Sequence, residues 1–122
     1  MDRGRFESLV EEVLDGFPEK FQRLLDNLAV VVEDVASRED AARLGLGQPM
    51  ALLGLYTGVP FTQWGRDHYQ GPPDVIHIYR LPIMAAVQTP IEIKEKVRAV
   101  ILHEVGHRAG LGEERLRELG VF

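Results

Sequence analysis

The sequence predicts one α+β domain over residues 1–122, with a small mixed β-sheet packed against helices and a long helix near the C-terminus. Three observations support this prediction. The 122 residues are 45% hydrophobic and 27% charged, which is ordinary for a globular domain with its own core. Apolar residues recur with helical spacing towards both ends, whereas short runs rich in valine and isoleucine lie between them. No repeat or linker divides the chain.

Two helices are predicted at the N-terminus. Apolar residues from Phe6 to Leu14 follow the i, i+3, i+4, i+7 spacing of an amphipathic helix, and Gly16 ends it. Pro18 suits the first turn of a second helix, because a helix needs no backbone N–H donor there. The apolar side of this second helix continues to Leu28.

Three strands are predicted, at Leu28–Val32, Met50–Tyr56 and Val75–Arg80. Gly54 suggests a bulge in the second strand. In the third strand, alternate side chains are expected on opposite faces of the sheet.

Two connecting segments separate the strands. Residues 36–49 are expected to form a loop with one short helical turn, which Ser37 could cap and Gly45 could end. Residues 57–73 are rich in glycine and proline and predict a long polar loop.

The last long helix has clear boundaries. Thr89–Glu92 matches a capping box, with Pro90 in the first turn. Helix-forming residues continue to Ala109, where Gly110 supplies a left-handed end, and a short helix at Glu113–Leu119 follows. Three apolar residues of the long helix are expected to be buried: Val97, Val100 and Ile101.

Charge and composition argue against several classes of function. The net charge is −5, with 14 basic against 19 acidic residues, so nucleic acid is not an expected partner. The absence of cysteine excludes a disulfide scaffold, a thiolate nucleophile and a cysteine-ligated metal. The longest apolar run, Leu28–Val32, is too short to span a membrane, and the first residues do not resemble a signal peptide. A cytoplasmic location is therefore expected.

The segment that carries chemistry is His103-Glu104-Val105-Gly106-His107, which has the pattern HExxH. Four residues of an α-helix turn by about 400° and rise by about 6 Å, so both imidazoles are expected on one face. Two nitrogens at that spacing can bind one Zn²⁺ ion, each at about 2.0–2.1 Å. Glu104 flanks this site and can take a proton from water at the metal, which makes it the predicted general base.

A catalytic zinc takes three protein ligands, so a third ligand is expected beyond His107. Gly110 lets the chain reverse, and Glu113 follows three residues later. Glu113 is the preferred third ligand, with Glu114 and Glu118 as rivals. Water, or no third protein ligand, is the remaining alternative. The ordinary alternative for Glu113 is an acidic residue that the dipole of the last helix favours.

The string HExxHxxGxxE over residues 103–113 resembles the zincin metallopeptidases. The whole layout is similar to the small bacterial minimal zincin-like family, which has a motif like that of matrix metalloproteinases. Further similarity lies in Gly54–Pro60 and Ile78–Ile83, and the resemblance covers roughly residues 1–120. It implies a minimal zincin-like fold and a zinc-dependent peptidase with His103, His107 and Glu113 as ligands and Glu104 as catalytic base.

The same resemblance implies how a peptide or protein substrate would bind. The strand before the motif helix is expected to pair with an antiparallel edge strand, and in zincins that edge binds the substrate backbone by strand addition.

Two departures from larger zincins are visible. Metzincins have histidine as the third ligand and a methionine beneath the metal, but here the third position is Glu113 and every methionine precedes the motif. Only 15 residues follow His107, so a helper residue, one that stabilises the transition state, must come from upstream or from another molecule. Arg115 and Arg117 are interpreted as surface charges. The upstream candidates are Tyr56, His68, Tyr69, His77 and Tyr79, with Trp64 as a lid, a partner contact or a packing anchor.

Three functions compete. The leading one is a zinc-dependent peptidase, and the second is a non-catalytic, metal-stabilised module that binds a peptide or a protein. Glu104 favours the enzyme, since a purely structural site has no need of a base. A metal-dependent nuclease is the third, and the acidic balance argues against it. The sequence alone does not identify substrate-binding residues.

Overall fold

The computed structural model describes residues 1–58, 74–108 and 110–121, and the side chains of residues 107 and 108 lie outside this description. Within these residues the α-helices are α1 (Arg3–Asp15), α2 (Glu19–Leu25), α3 (Arg38–Arg43), α4 (Arg80–Ala86), α5 (Pro90–His103) and α6 (Gly112–Glu118). The strands are β1 (Leu28–Glu33), β2 (Gly54–Thr57) and β3 (Asp74–Tyr79). A 3₁₀ turn lies at Pro49–Ala51 and a π-helical turn at Glu104–Arg108.

The three strands form one mixed sheet in the order β1-β3-β2. β1 runs parallel to β3, and β2 runs antiparallel to it. His77 lies at the centre of the register, opposite Val31 on one side and Leu55 on the other. This arrangement confirms the predicted α+β class and its small mixed sheet. It also places an antiparallel strand, β2, at one edge of the described sheet.

The main core lies between one face of the sheet and the helices. Ile76 and Ile78 of β3 are fully buried there, and α1 packs against α5. The three core positions predicted on α5 are confirmed, with exposures of 0% for Val97, 8% for Val100 and 0% for Ile101. A core of this kind fixes the orientation of α5, the helix on which the HExxH motif begins.

A smaller cluster covers part of the opposite face of the sheet. Leu55 and Tyr79 point to this side and pack with Ala36 and Leu52. Leu44 and Leu46 lie against the same cluster. The connecting segment between β1 and β2 is therefore held against the sheet, next to the end of β2.

The local signals at helix ends are confirmed. Asp40 N–H donates to Ser37 Oγ over 3.0 Å at the start of α3, and Gly45 follows that helix with φ +75°. Gly110 has φ +80°, the left-handed conformation predicted for it. Residues 59–73 of the predicted polar loop lie outside the described residues, while Thr57 belongs to β2.

The predicted second strand is too long at its N-terminal end. Met50 lies in the 3₁₀ turn, and the strand begins only at Gly54. The predicted bulge at Gly54 is wrong, because this residue pairs in regular register with Ile78. A Cβ at this position would lie 2.4 Å from Val100 Cγ1, so close packing against α5 is what requires glycine.

Helix α4 is not predicted by the sequence, and the third strand ends one residue earlier than predicted. Arg80 begins α4, and its side chain donates to Asp34 Oδ1 over 3.0 Å and to the Met1 carbonyl over 2.9 Å. These contacts are distant in sequence, so a local pattern does not reveal them. Pro82, in the first turn of the helix, was the available signal. Among the described residues, no helix is both long enough and apolar enough to cross a membrane.

Candidate metal centre

Helix α5 presents the motif at its C-terminal end, and its start is fixed by the predicted capping box. Glu92 N–H donates to Thr89 Oγ1 over 3.2 Å, and Thr89 N–H donates to Glu92 Oε1 over 3.0 Å. The Thr89 hydroxyl and the backbone N–H groups of Gln88 and Thr89 lower the pKa of the Glu92 carboxyl, because they favour its charged form. The anchored start and the buried face together define where His103 lies.

The motif does not continue as a regular α-helix. Prediction from sequence extended the α-helix to Ala109, but the α-helical pattern stops at His103, and Glu104–Arg108 forms a π-helical turn. π-helical turns are rare and occur frequently at functional sites. A π turn is wider than an α turn, so the α-helical spacing assumed for His103 and His107 does not hold here. The side chain of His107 lies outside the described residues.

Two grooves meet at His103. We call the first the helix groove; its volume is about 530 Å³, and its lining includes Arg98, Leu102, His103, Gly106, Glu113 and Leu116. We call the second the strand groove; its volume is about 470 Å³, and its lining includes Leu44, Leu46, Leu53, Val100, His103 and Glu104. His103 is exposed and lines both grooves.

Glu104 is buried beside the exposed His103. Its side chain is 5% exposed, which is unusual for a carboxylate, because moving a charge out of water costs free energy unless polar groups surround it. The π turn that carries it packs against β2, and Glu104 lines the strand groove. The predicted general base therefore lies on the same side of the motif as the edge strand.

Glu113 lies in the helix groove, on the other side of His103. It occupies the first turn of α6 and is exposed. Its described partner is Arg117, whose Nη2 lies 3.6 Å from Glu113 Oε1, and both side chains are more than half exposed, so this pair is weak. Of the three candidate third ligands, Glu113 lines this groove, whereas Glu114 and Glu118 are not among its lining residues.

Gly106 determines how closely α6 approaches the motif, and sequence reasoning did not single it out. A Cβ at Gly106 would lie 3.1 Å from Leu116 Cδ1, and Leu116 is 2% exposed. The small residue inside the motif therefore allows Leu116 to pack and holds α6 close to the π turn. The sequence signal for this contact was the glycine at the fourth position of the HExxH motif.

Two of the proposed helper residues take part in hydrogen bonds of the sheet. The Tyr56 hydroxyl donates to Asp74 Oδ2, and Asp74 is itself 1% exposed. The His77 ring contacts Glu33 Oε1 through Nδ1 and lies 3.1 Å from Thr57 Oγ1 through Nε2. Neither Tyr56 nor His77 lines either of the two grooves.

A third helper candidate, Tyr79, is 1% exposed and belongs to the smaller cluster. Burial, together with the smaller effect of the negative charges of Glu33, Asp40 and Glu104, raises its pKa to about 12. Its phenol therefore stays protonated near neutral pH. The remaining candidates, His68, Tyr69 and Trp64, lie outside the described residues. Arg115 and Arg117 are exposed and pair with Glu118 and Glu113.

Comparison with known families decides the class of this site. The family model described as zincin-like metallopeptidase matches residues 25–121. The chain belongs to the zincin-like metallopeptidases. The match spans the sheet, α5, the π turn and α6, whereas α1 lies before it. No curated protein matches the chain.

The side chains of this zincin-like site offer the donor types that zinc prefers. An imidazole at His103 and a carboxylate at Glu113 supply nitrogen and oxygen, and the family implies zinc dependence. Within residues 1–58, 74–108 and 110–121, no three His, Asp or Glu side chains come together as a metal site. The second imidazole expected for the set belongs to His107, whose side chain is not among those described.

Proposed function

We propose that this zincin-like chain is a zinc-dependent peptidase in which His103, His107 and Glu113 hold the metal and Glu104 is the general base. The observation that carries the proposal is the pairing of an exposed histidine with a buried glutamate at one groove. A purely structural metal site has no use for a carboxylate beside it. The family match supports the metallopeptidase class.

The chemistry of the proposed reaction divides between the metal and the chain. A bound zinc lowers the pKa of water and polarises a carbonyl. Glu104 accepts the proton of the attacking water and later delivers it to the nitrogen of the departing amine. Its burial holds the carboxylate in a fixed position, which favours proton transfer over a defined short path.

Glu113 is proposed as the third ligand because it shares the helix groove with His103. Gly110 and Gly112 have φ of +80° and +76°, and these two left-handed residues turn the chain from the motif into α6, which begins at Gly112. The turn brings Glu113 back towards the motif, whereas the next residue, Glu114, points elsewhere on the same helix turn.

The proposed substrate is an extended peptide beside β2. This strand lies at one edge of the three described strands and contacts the π turn that carries Glu104. An added peptide strand would run past the buried carboxylate. The absence of cysteine is consistent with action in the reducing cytoplasm, which we propose as the location.

Metal analysis tests the proposal. Protein purified without chelator or added metal should contain about one zinc per chain, and His103→Ala should lose it. His77→Ala is the control, because His77 lines neither groove and should leave the zinc content unchanged. Zinc retained in His103→Ala would contradict the proposed ligand set. Peptide binding without cleavage by the zinc-loaded wild type would favour the binding module instead.

A further inference from the structure

We propose that the strand groove selects substrates by two features, a large aliphatic side chain beside the cleaved bond and an acidic group about three residues from it. This inference rests on the proposed peptidase function and names its class of substrate. Two observations carry it, the composition of the groove walls and the position of one lysine.

The walls of the strand groove are mainly aliphatic. Leu44, Leu46, Leu53 and Val100 line it. Leu52 also lines the groove, and it is 9% exposed because it packs in the cluster on the outer face of the sheet. These walls are therefore held by the fold. A volume of about 470 Å³ is enough for a side chain of the size of leucine.

The groove is continuous with the proposed catalytic residues. His103 and Glu104 line it together with the aliphatic residues. A peptide whose scissile bond lies at Glu104 therefore places a neighbouring side chain against Leu53 and Val100. Burial of one aliphatic side chain in such a pocket changes specificity by about 10-fold or more.

Lys96 gives the groove a positive charge. It is half-buried and lines the groove, and it forms no ion pair with any carboxylate in the described part of the chain. In contrast, Lys94 on the same helix pairs with Glu12 over 2.7 Å. An ammonium group without such a partner favours an acidic group of the ligand.

The spacing along α5 sets the distance between the two features. Lys96 precedes His103 by seven residues, so the two lie on the same side of the helix, about 10 Å apart along its axis. An extended peptide advances about 3.3 Å per residue. A peptide that runs along α5 in the groove therefore has its acidic group about three residues from the cleaved bond.

Peptide binding to the zinc-loaded Glu104→Gln protein tests the inference without turnover. The probes are fluorescein-labelled hexapeptides in which Leu and Glu are separated by two alanines, in both orders, and fluorescence anisotropy reports their affinity. Replacement of Leu by Gly in the better peptide should weaken binding at least about 10-fold. Replacement of its Glu by Gln should weaken binding about fivefold.

Groove variants, combined with Glu104→Gln, locate this selectivity. Ala51→Phe narrows the groove from an exposed position and should abolish the preference for Leu over Gly. Lys96→Glu should abolish or reverse the preference for Glu over Gln. The matched controls are Ala85→Phe on α4 and Lys20→Glu on α2, both exposed and outside the groove, and both should keep the two preferences.

The outcomes separate this inference from the peptidase function. Equal affinity for all peptides, no binding of any of them, or groove variants that behave like their controls would overturn the inference. Selective binding without cleavage by the zinc-loaded wild type would contradict the peptidase function and leave the groove selectivity in place. Cleavage of peptides without either preference would support the peptidase function and overturn the groove selectivity.

Discussion

Glu113 and Glu114 form a natural matched pair at the scale of single residues. Both are exposed and both lie in the first turn of α6, so the helix dipole acts similarly on both. They differ in that Glu113 lines the helix groove with His103. The choice between them depends on how α6 turns back, which the sequence pattern alone did not decide.

We predict that Glu113→Gln weakens zinc binding by at least about 10-fold, because an amide is a poorer ligand than a carboxylate. Glu114→Gln should change zinc affinity by less than about twofold. Competition with a fluorescent zinc chelator measures both. A larger loss for Glu114→Gln than for Glu113→Gln would contradict the assignment of Glu113 as the third ligand and favour Glu114.

Gly54 shows a second effect of a single residue, the close approach of β2 and α5. An added methyl group would meet Val100 Cγ1 at 2.4 Å and the His77 carbonyl at 3.0 Å. At Gly47, by contrast, an added Cβ would meet no atom within 4 Å.

Gly54→Ala is therefore expected to lower the free energy of unfolding by about 1–3 kcal/mol, since the strand or the helix must shift. Gly47→Ala should leave it unchanged or raise it slightly, because alanine restricts the unfolded chain. Urea denaturation followed by circular dichroism measures both values. If the two variants have equal stability, the close packing of β2 on α5 is wrong.

At the scale of elements, the boundaries of α5 and α3 could be predicted because their signals are local. Thr89 and Glu92 interact with backbone groups three residues away, and Ser37 does the same at α3. The π turn at Glu104–Arg108 has no such local signal. The π turn packs against β2, which is distant in sequence, and against α6, which follows the motif. A local pattern does not reveal these contacts.

Removal of the cap should affect the helix without affecting the metal ligands. Thr89→Ala is expected to cost about 1 kcal/mol of stability, because Glu92 N–H loses its acceptor. Zinc affinity should be unchanged, since His103 lies at the other end of the 14-residue helix. Gln88→Ala is the control and should change neither value, because Gln88 contributes its backbone N–H and not its side chain to the cap.

Thermal unfolding combined with zinc titration measures both effects. A stability of Thr89→Ala equal to that of the wild type would mean that the capping box does not define α5. A loss of zinc affinity would show that the start of the helix and the metal site are coupled.

For the whole molecule, the sequence predicted the class of fold but not the contacts that join distant segments. Composition and periodicity were sufficient for the α+β class, since the buried faces of β3 and α5 repeat with their own periods. The hydrogen bonds from the Arg80 side chain to Asp34 and Met1 were not predictable, because they join residues far apart in sequence. The same reason explains why the grooves around His103, and the position of Lys96 in one of them, became visible only in the structure.

The core of the whole domain leads to a prediction about the metal-free protein. The buried cluster extends from Phe6 on α1 to Val121 and does not include the proposed ligands, so the fold should persist without zinc. Zinc at about 100 times its dissociation constant should add about 2.7 kcal/mol of stability by mass action.

Differential scanning calorimetry with zinc, and with a chelator, measures this shift. His103→Ala should unfold cooperatively at the temperature of the chelated wild type and should not respond to zinc. A chelated wild type that shows no cooperative transition would contradict the view that the core alone maintains the fold.

The most direct test of the central claim is the rate of peptide hydrolysis by Glu104→Gln, measured with its zinc content. The account predicts that the variant binds zinc as tightly as the wild type, because Glu104 is not a ligand. Its kcat should fall by about 10²–10⁴-fold, because glutamine cannot accept a proton. Glu114→Gln, as control, should keep both zinc and activity. Loss of zinc from Glu104→Gln, or an unchanged kcat, would contradict the role of Glu104 as general base.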